Sequence, residues 1–352
     1  MEELTKAEEE VRELVFQVYV RLQGKPGADV ALMVLIPLIT LKYLNDQVKN
    51  QGFELKISSE AQWGKLSQAQ HHHIIERLLI AYTVVERDNP SLKGVFTKLG
   101  VVDNYHQVFY KTPNSIDVLL DFINDLSQFD FTQTDFSFGD LFEWLLSTFN
   151  NTYERRLEPG ALPKALAELM TYFLPEEPVN IYNPYAGIGD LAPYILPNKT
   201  CVAQEITYTA SSLGALRVLA HQAYSYTLEQ QIPSENWLWE AVTSEPPGTF
   251  RRAGSQHHFD VLMTMVPFNR KIHDSQGKSL RSEAWLLSKL LESFQPHQRA
   301  IVLLSSGTLF RGGEEAKIRK DLIKKDLIET IISLPAGLLN YTSIPLVLLV
   351  MN

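Results

Sequence analysis

Val179–Ile195 reads VNIYNPYAGIGDLAPYI, and the reading of this stretch decides the fold. A short apolar run, VNIY, passes through Asn183-Pro184 into a segment with two glycines, Gly187 and Gly189. β-Branched and aromatic residues bounded by Pro and Gly mark a buried strand running into a turn that should open a helix. The glycines stand where backbone must approach a ligand closely or adopt a positive φ. Toward the C-terminus further apolar runs recur: TCVAQE, FDVLMTM, RAIVLLSS, LIETIISL and SIPLVLLVMN. Helical stretches such as TASSLGALRVLAHQAYSYTLEQ and EAWLLSKLLESF lie between several of them. Strands of this kind with intervening helices predict a doubly wound, Rossmann-like α/β domain with a mostly parallel sheet. Its ligands should gather at the carboxyl ends of the strands.

Toward the N-terminus the period changes. EEVRELVFQVYVRL, DVALMVLIPLITLKYLNDQV, HHHIIERLLIAYTVVE and SIDVLLDFINDL repeat apolar residues at three- and four-residue spacing, the signature of amphipathic helices. Residues 1–150 are expected to form an all-helical domain and residues 151–352 the α/β domain. Pro37 is expected at a helix kink or break. His71–His73 are consecutive, so on a helix they point in different directions and read as a solvated helix end; no metal site is expected.

The chain is 45% hydrophobic and 21% charged, ordinary for a globular protein. Its one cysteine, Cys201, excludes intramolecular disulfides and suits a reducing cytoplasm. The opening MEELTKAEEEVRELV is acidic and amphipathic where a secretory leader would be basic and then apolar. The run ALMVLIPLITL is too short to cross a bilayer, so a cytoplasmic protein without a membrane span is expected. A formal net charge of −9 disfavours tight DNA binding without a partner.

Glu205 ends the second apolar run, where an acid can take a ribose diol, although a carboxylate there also suits the start of a helix. Asp190 follows the glycines. A negative charge at the mouth of the loop disfavours a pyrophosphate and suits a cationic or zwitterionic ligand. S-adenosylmethionine, with its sulfonium and amino group, fits that requirement better than a dinucleotide.

Several stretches together resemble the modification (methyltransferase) subunit of type I restriction–modification systems, the N6-adenine DNA methyltransferases. NPYAGIGDLAPYI is similar to that family's cofactor loop, Asp/Asn-Pro-x-x-Gly-x-Gly, and VAQEI to its Gly-Gln-Glu-Ile strand end. FGDLFEWLLSTFN resembles the helix leading into its catalytic domain, and LQGKPGADVALMVLIPLITLKYLND its N-terminal helical domain. VLLSSGTLFRGGEEAKIRKDLIKKDLIETIISLPAGLLNYTSIPLVLLVMN resembles its late region, and a strand pair returning antiparallel to the sheet is expected there. The resemblance implies a class I methyltransferase domain and S-adenosylmethionine as cofactor. It places Asn183, Pro184, Gly187, Gly189 and Glu205 at that cofactor, with Asn236 matched only loosely. It also implies a specificity-type or other defence-system subunit as partner, DNA bound within that complex, and a second copy of the chain as a further candidate partner.

The family carries Asn-Pro-Pro-Phe or -Tyr at the end of its fourth strand. Aligned on FDV, those positions are Met265, Val266, Pro267 and Phe268 in FDVLMTMVPFNRK. In the family the Asn side chain and the following carbonyl accept hydrogen bonds from the exocyclic amine of a flipped adenine, and the aromatic ring stacks on it. A thioether is a poor acceptor, so the expectation is a retained scaffold with weak or lost catalysis. The alternative is an active adenine-N6 methyltransferase with an atypical acceptor, Asn269 or Asn236. A dinucleotide oxidoreductase ranks below both. Glu158-Pro159 in place of the family's Thr-Pro, and Tyr185-Ala186 where small or polar residues are common, are further departures. EEAKIRKDLIKKD reads as a solvated amphipathic helix. The polar loops TFRRAGSQHH and FNRKIHDSQGKSLRSE flank the mouth of the site; they read first as solvated surface loops and second as candidates for phosphate contact.

Overall fold

The computed structural model of the chain describes residues 5–22, 28–48, 55–99, 105, 108–109, 114–132, 136–153, 162–195, 199–205, 207–225, 239–241, 259–273, 279–339 and 342–352. They divide between two units, Met1–Tyr153 with Tyr208–Ile232, and Glu154–Thr207 with Pro233–Asn352.

Among its described residues the first unit has helices and turns and no strand, with long helices at Lys6–Leu22, Ala28–Gln47, Ile74–Asp88, Ser115–Leu126, Phe138–Tyr153 and Tyr208–Ser225. Thr5 opens the first of them with a reciprocal cap: its hydroxyl accepts the Glu8 N–H at 3.2 Å while Glu8 accepts the Thr5 N–H at 3.1 Å. Aromatic rings fill the core; Tyr43 and Phe138 stack with centroids 3.9 Å apart. Pro37 lies inside the helix Ala28–Gln47 rather than at a break. Its neighbours Val34, Leu35, Ile36, Leu38 and Ile39 are all buried, and that burial offsets the backbone hydrogen bond a proline cannot make. His71–His73 form an exposed 3-10 turn leading into the helix Ile74–Asp88.

The helix Tyr208–Ser225 groups with this unit although it follows the strand that carries Glu205. Arg217, 4% exposed, donates to both carboxylate oxygens of Glu143 at 2.6 and 2.5 Å, and His221 lies 3.0 Å from the same group. Burial alone would raise the Glu143 carboxyl; the Arg217 charge and the hydrogen bonds from His221 and Arg217 outweigh it and hold it down at about 2. A cavity of about 460 Å³ in the same unit is lined by groups that include Lys42, Asp46, Trp63 and Ser127. These tie its walls together: Lys42 pairs with Asp46, which accepts the Phe131 N–H at 3.1 Å, and Trp63 Nε1 donates to Ser127 at 2.8 Å.

The second unit is built on a seven-stranded sheet. Its strands are β1 (Asn180–Asn183), β2 (Thr200–Glu205), β3 (Trp239–Ala241), β4 (Val261–Met265), β7 (Arg299–Ser305), β8 (Ile328–Leu334) and β9 (Leu346–Met351), in the order β3-β2-β1-β4-β7-β9-β8. All pairs are parallel except those of β9, which runs antiparallel to β7 and β8. A separate hairpin joins β5 (Lys271–His273) to β6 (Ser279–Arg281). Alternation along β4 sends Val261, Met263 and Met265 to one face, against Leu166, Ala167 and Met170 of the helix Lys164–Tyr172. Leu262 and Val266 go to the other, against the helices Ser282–Ser293 and Glu314–Lys324. The connections from β1 and β4 diverge across the sheet, so the switch point of this topology lies between these two adjacent strands.

Six apolar runs became the strands they predict, including the antiparallel return of β9. β3, β5 and β6 were not foreseen, because three residues show no period. The helix expected directly after the glycines is only a 3-10 turn, Ala192–Tyr194. Pro193 sits inside it and Pro197 follows, removing N–H groups that a longer helix would use.

Candidate active site

The loop after β1 is folded onto β2 by its own backbone. Asn183, buried at the end of β1, accepts the Tyr185 N–H at 3.3 Å. The Ala186 N–H then donates to the Gln204 carbonyl at 2.9 Å, and the Gly187 N–H donates to Glu205 Oε2 at 3.0 Å. Gly187 and Gly189 hold φ of +56° and +78°, a region that penalises any side chain with a Cβ. At Gly187 the requirement is conformational and not steric: a Cβ there would meet nothing nearer than Asp190 Oδ2 at 4.0 Å.

Glu205, 7% exposed, accepts the Thr207 N–H at 2.7 Å on Oε1 as well as the Gly187 N–H on Oε2. These two bonds orient the carboxylate at the end of β2. The residue set fits S-adenosylmethionine: an oriented carboxylate for a ribose diol, positive-φ glycines for close approach, and the buried Asp190 carboxylate at the loop. It does not fit a pyrophosphate. The three-residue turn Ala192–Tyr194 supplies no α-helical N-terminus to receive one. Asn236 and Glu158-Pro159 lie outside the described residues, as does TFRRAGSQHH.

One strand over, β4 ends in the four positions of interest. Met265, 7% exposed, packs with Met263 and Leu303. Val266 is fully buried on the opposite face and its N–H donates to the Leu303 carbonyl at 3.3 Å. That bond carries the β4–β7 ladder one residue past Met265↔Leu303, and a proline at 266 could not make it. The Pro267 carbonyl accepts a hydrogen bond from the Ser282 hydroxyl. Phe268 is half-buried at the edge of the Met265 face. Asn269 sits at φ +58°, and its side-chain oxygen accepts from Arg311 Nη2 at 2.8 Å.

Tyr185 reaches from the β1 loop into the Val266 side of the sheet. Its hydroxyl is buried without a hydrogen-bond partner among the described residues. Burial pushes the phenol well above its usual range, with the Arg270 charge opposing, so it stays protonated. The β1 and β4 ends thus bring together Asn183, Pro184, Gly187, Gly189 and Glu205 on one side and Met265–Phe268 on the other. Sequence reasoning missed Ser282, Glu283, Ser305 and Arg311 around the second loop. Glu283 in the first turn of a helix reads as an ordinary dipole partner, and Arg311 reads as a loop charge; neither carries a local signal of burial.

Among the described residues no helix is long and apolar enough to cross a membrane. Residues 133–352 match the family of N-6 DNA methylases. A type I restriction enzyme methylase subunit of Methanocaldococcus jannaschii is 26% identical over 262 residues, 68% of this chain and 44% of its own length. The chain therefore spans less than half of that relative. A type I restriction-modification system methyltransferase subunit from Streptococcus thermophilus is similar in structure, with a TM-score of 0.75 at 19% identity over 98% of this chain and 84% of that one. A Listeria monocytogenes chain assigned to the class I S-adenosylmethionine-dependent methyltransferases gives 0.52 at 12% identity, over 75% of this chain and 88% of that one. These structures speak for the fold, a helical unit joined to a class I methyltransferase sheet. The family match covers more than half of the sequence, and the chain belongs to the N-6 DNA methylase family.

Proposed function

We propose that the chain is a type I modification-subunit-like component of a restriction–modification or related defence assembly that keeps its cofactor loop and has weak or lost methyl transfer to adenine. The observation that carries this is Met265-Val266 at the end of β4, where the family has Asn-Pro. Bound S-adenosylmethionine would supply an electrophilic methyl group on a sulfonium. Glu205 would orient the ribose, Gly187 and Gly189 would allow close approach, and Asp190 would set the charge at the loop. On the acceptor side Phe268 offers a stacking face, and the Val266 carbonyl stands at the second acceptor position. The side-chain acceptor is missing. An exocyclic amine is a poor nucleophile until two acceptors draw on its protons. Loss of one such preorganised contact costs on the order of 10²–10³ in rate.

The reading in which Asn269 substitutes as acceptor gains no support from its surroundings. Its side chain is held by Arg311 and its backbone N–H by Glu283. With the chain's formal charge of −9, DNA contact is assigned to the assembly, through a specificity-type partner, and not to this chain alone.

Calorimetric titration of S-adenosylmethionine into the purified chain tests the cofactor half. Binding is expected, and Glu205→Gln, which keeps one acceptor oxygen, should weaken it less than Glu205→Ala. No binding by a folded chain would make the loop vestigial. Adenine methylation at ordinary enzymatic rates with the natural partner would overturn the assignment of lost catalysis.

A further inference from the structure

The turn that follows β4 is held from outside itself. Glu283, 0% exposed, accepts the Asn269 backbone N–H at 3.0 Å and the Ser305 hydroxyl at 2.7 Å. Arg311 donates to the Asn269 side-chain oxygen at 2.8 Å and to Ser305 Oγ at 3.3 Å. Its other terminal nitrogen stands 3.7 Å from Glu283 and 3.6 Å from Glu315. Ser282 donates to the Pro267 carbonyl. These groups come from separate elements: Ser305 ends β7, Arg311 follows it in the next loop, and Ser282 and Glu283 open the helix Ser282–Ser293. The Arg311 guanidinium lies flat on Gly307, where a Cβ would stand 2.5 Å from Nη2. Asn269 holds φ +58°, a conformation that Asn adopts more readily than other non-glycine residues.

We propose that Glu283 and Arg311 are positioning residues: they fix Asn269 and, through it, the backbone of Pro267–Asn269, so that the path of the turn is set by groups outside the tetrapeptide Met265–Phe268. The proposal rests on the functional reading above for what the turn receives, an unstacked purine base, but not for how the turn is held. Two features of the chemistry support it. The Glu283 side chain accepts a backbone N–H, a bond that fixes main chain and not side chain. The planar guanidinium satisfies Asn269 and Ser305 with one nitrogen while facing two carboxylates with the other, a division that a lysine ammonium cannot reproduce. The drift from Asn-Pro to Met265-Val266 then altered side-chain chemistry while leaving the frame that presents it.

Hydrogen–deuterium exchange of the purified full chain tests this. Arg311→Ala and Glu283→Gln are expected to speed exchange at the Asn269 amide by about tenfold or more relative to β1 and β9 in the same sample. Arg311→Lys should not rescue it, and Met265→Ala should leave the ratio of turn to sheet unchanged. Asn269→Gly keeps the positive φ and removes no charged group, only the Arg311 acceptor, and gives the same shift to a smaller extent should the charge variants fail to fold. Unchanged exchange at the turn in the Arg311 and Asn269 variants would overturn the proposal. So would an equal rise across β1 and β9, which would mark general stabilisation, or a rise in Met265→Ala. No readout here depends on cofactor binding or methyl transfer, so the positioning role and the proposed function can fail separately.

Discussion

At the end of β1, Gly187 and Gly189 hold positive φ and Glu205 binds the loop through the Gly187 N–H. At the end of β4, paired with β1 in the same sheet, the backbone is tethered as firmly, by Ser282 and Glu283, with Arg311 holding the Asn269 side chain. The two loops differ in what their side chains still offer. The first has residue types that suit a nucleoside: glycines where φ demands them and a buried, oriented carboxylate at the end of β2. The second has Met265 and Val266, which add burial and one extra ladder bond to Leu303. Frame and chemistry separate in this protein. The frame of this loop is set by contacts spread over several elements, whereas acceptor chemistry resides in the side-chain atoms of the turn itself.

The sharpest probe of this contrast is Met265→Asn, which returns a side-chain acceptor to a turn whose frame is in place. With S-adenosylmethionine, partner and adenine-containing DNA, methylation is expected to rise on the order of 10²-fold over the parent chain. Denaturant titration should show roughly 2–3 kcal/mol lost, because a packed thioether side chain is exchanged for a polar one. No gain in methylation would mean that the β4 turn differs from a working one in more than its side chains. A smaller effect is expected at the first loop. Gly189→Ala forces a Cβ onto φ +78° and should cost about 1–2 kcal/mol by urea denaturation. It should also weaken cofactor binding, and unchanged affinity would separate the loop conformation from the cofactor. In stability alone, Val266→Pro removes the N–H that bonds Leu303, leaves that buried carbonyl without this donor, and should cost roughly 1–3 kcal/mol. An unchanged urea midpoint would show that the added ladder bond contributes nothing to stability.

Much of the sheet was legible because its strands are apolar runs bounded by Gly and Pro, and burial on both faces leaves that pattern in any parallel sheet. The three-residue strands were not, since no period can be read in them. The helix expected after Gly189 failed for a local reason, Pro193, which the sequence displays and the strand–helix pattern overrode. At the site, Gly187, Gly189 and Glu205 were legible through their spacing after the first two strands. Glu283 and Arg311 were not, because their roles come from contacts between residues 14 to 42 positions apart in sequence.

The sequence by itself determined the helical N-terminal half, the α/β half, the family, and the absence of a side-chain acceptor at position 265. Each of these is a property of residue type and order. Only the tertiary structure decided that Glu205 orients the glycine loop, that Val266 extends the strand ladder, and that Asn269 is engaged by Arg311 and Glu283. These are facts about where hydrogen-bonding groups meet, and a buried donor or acceptor takes its partner from whatever the fold brings within about 3 Å of it.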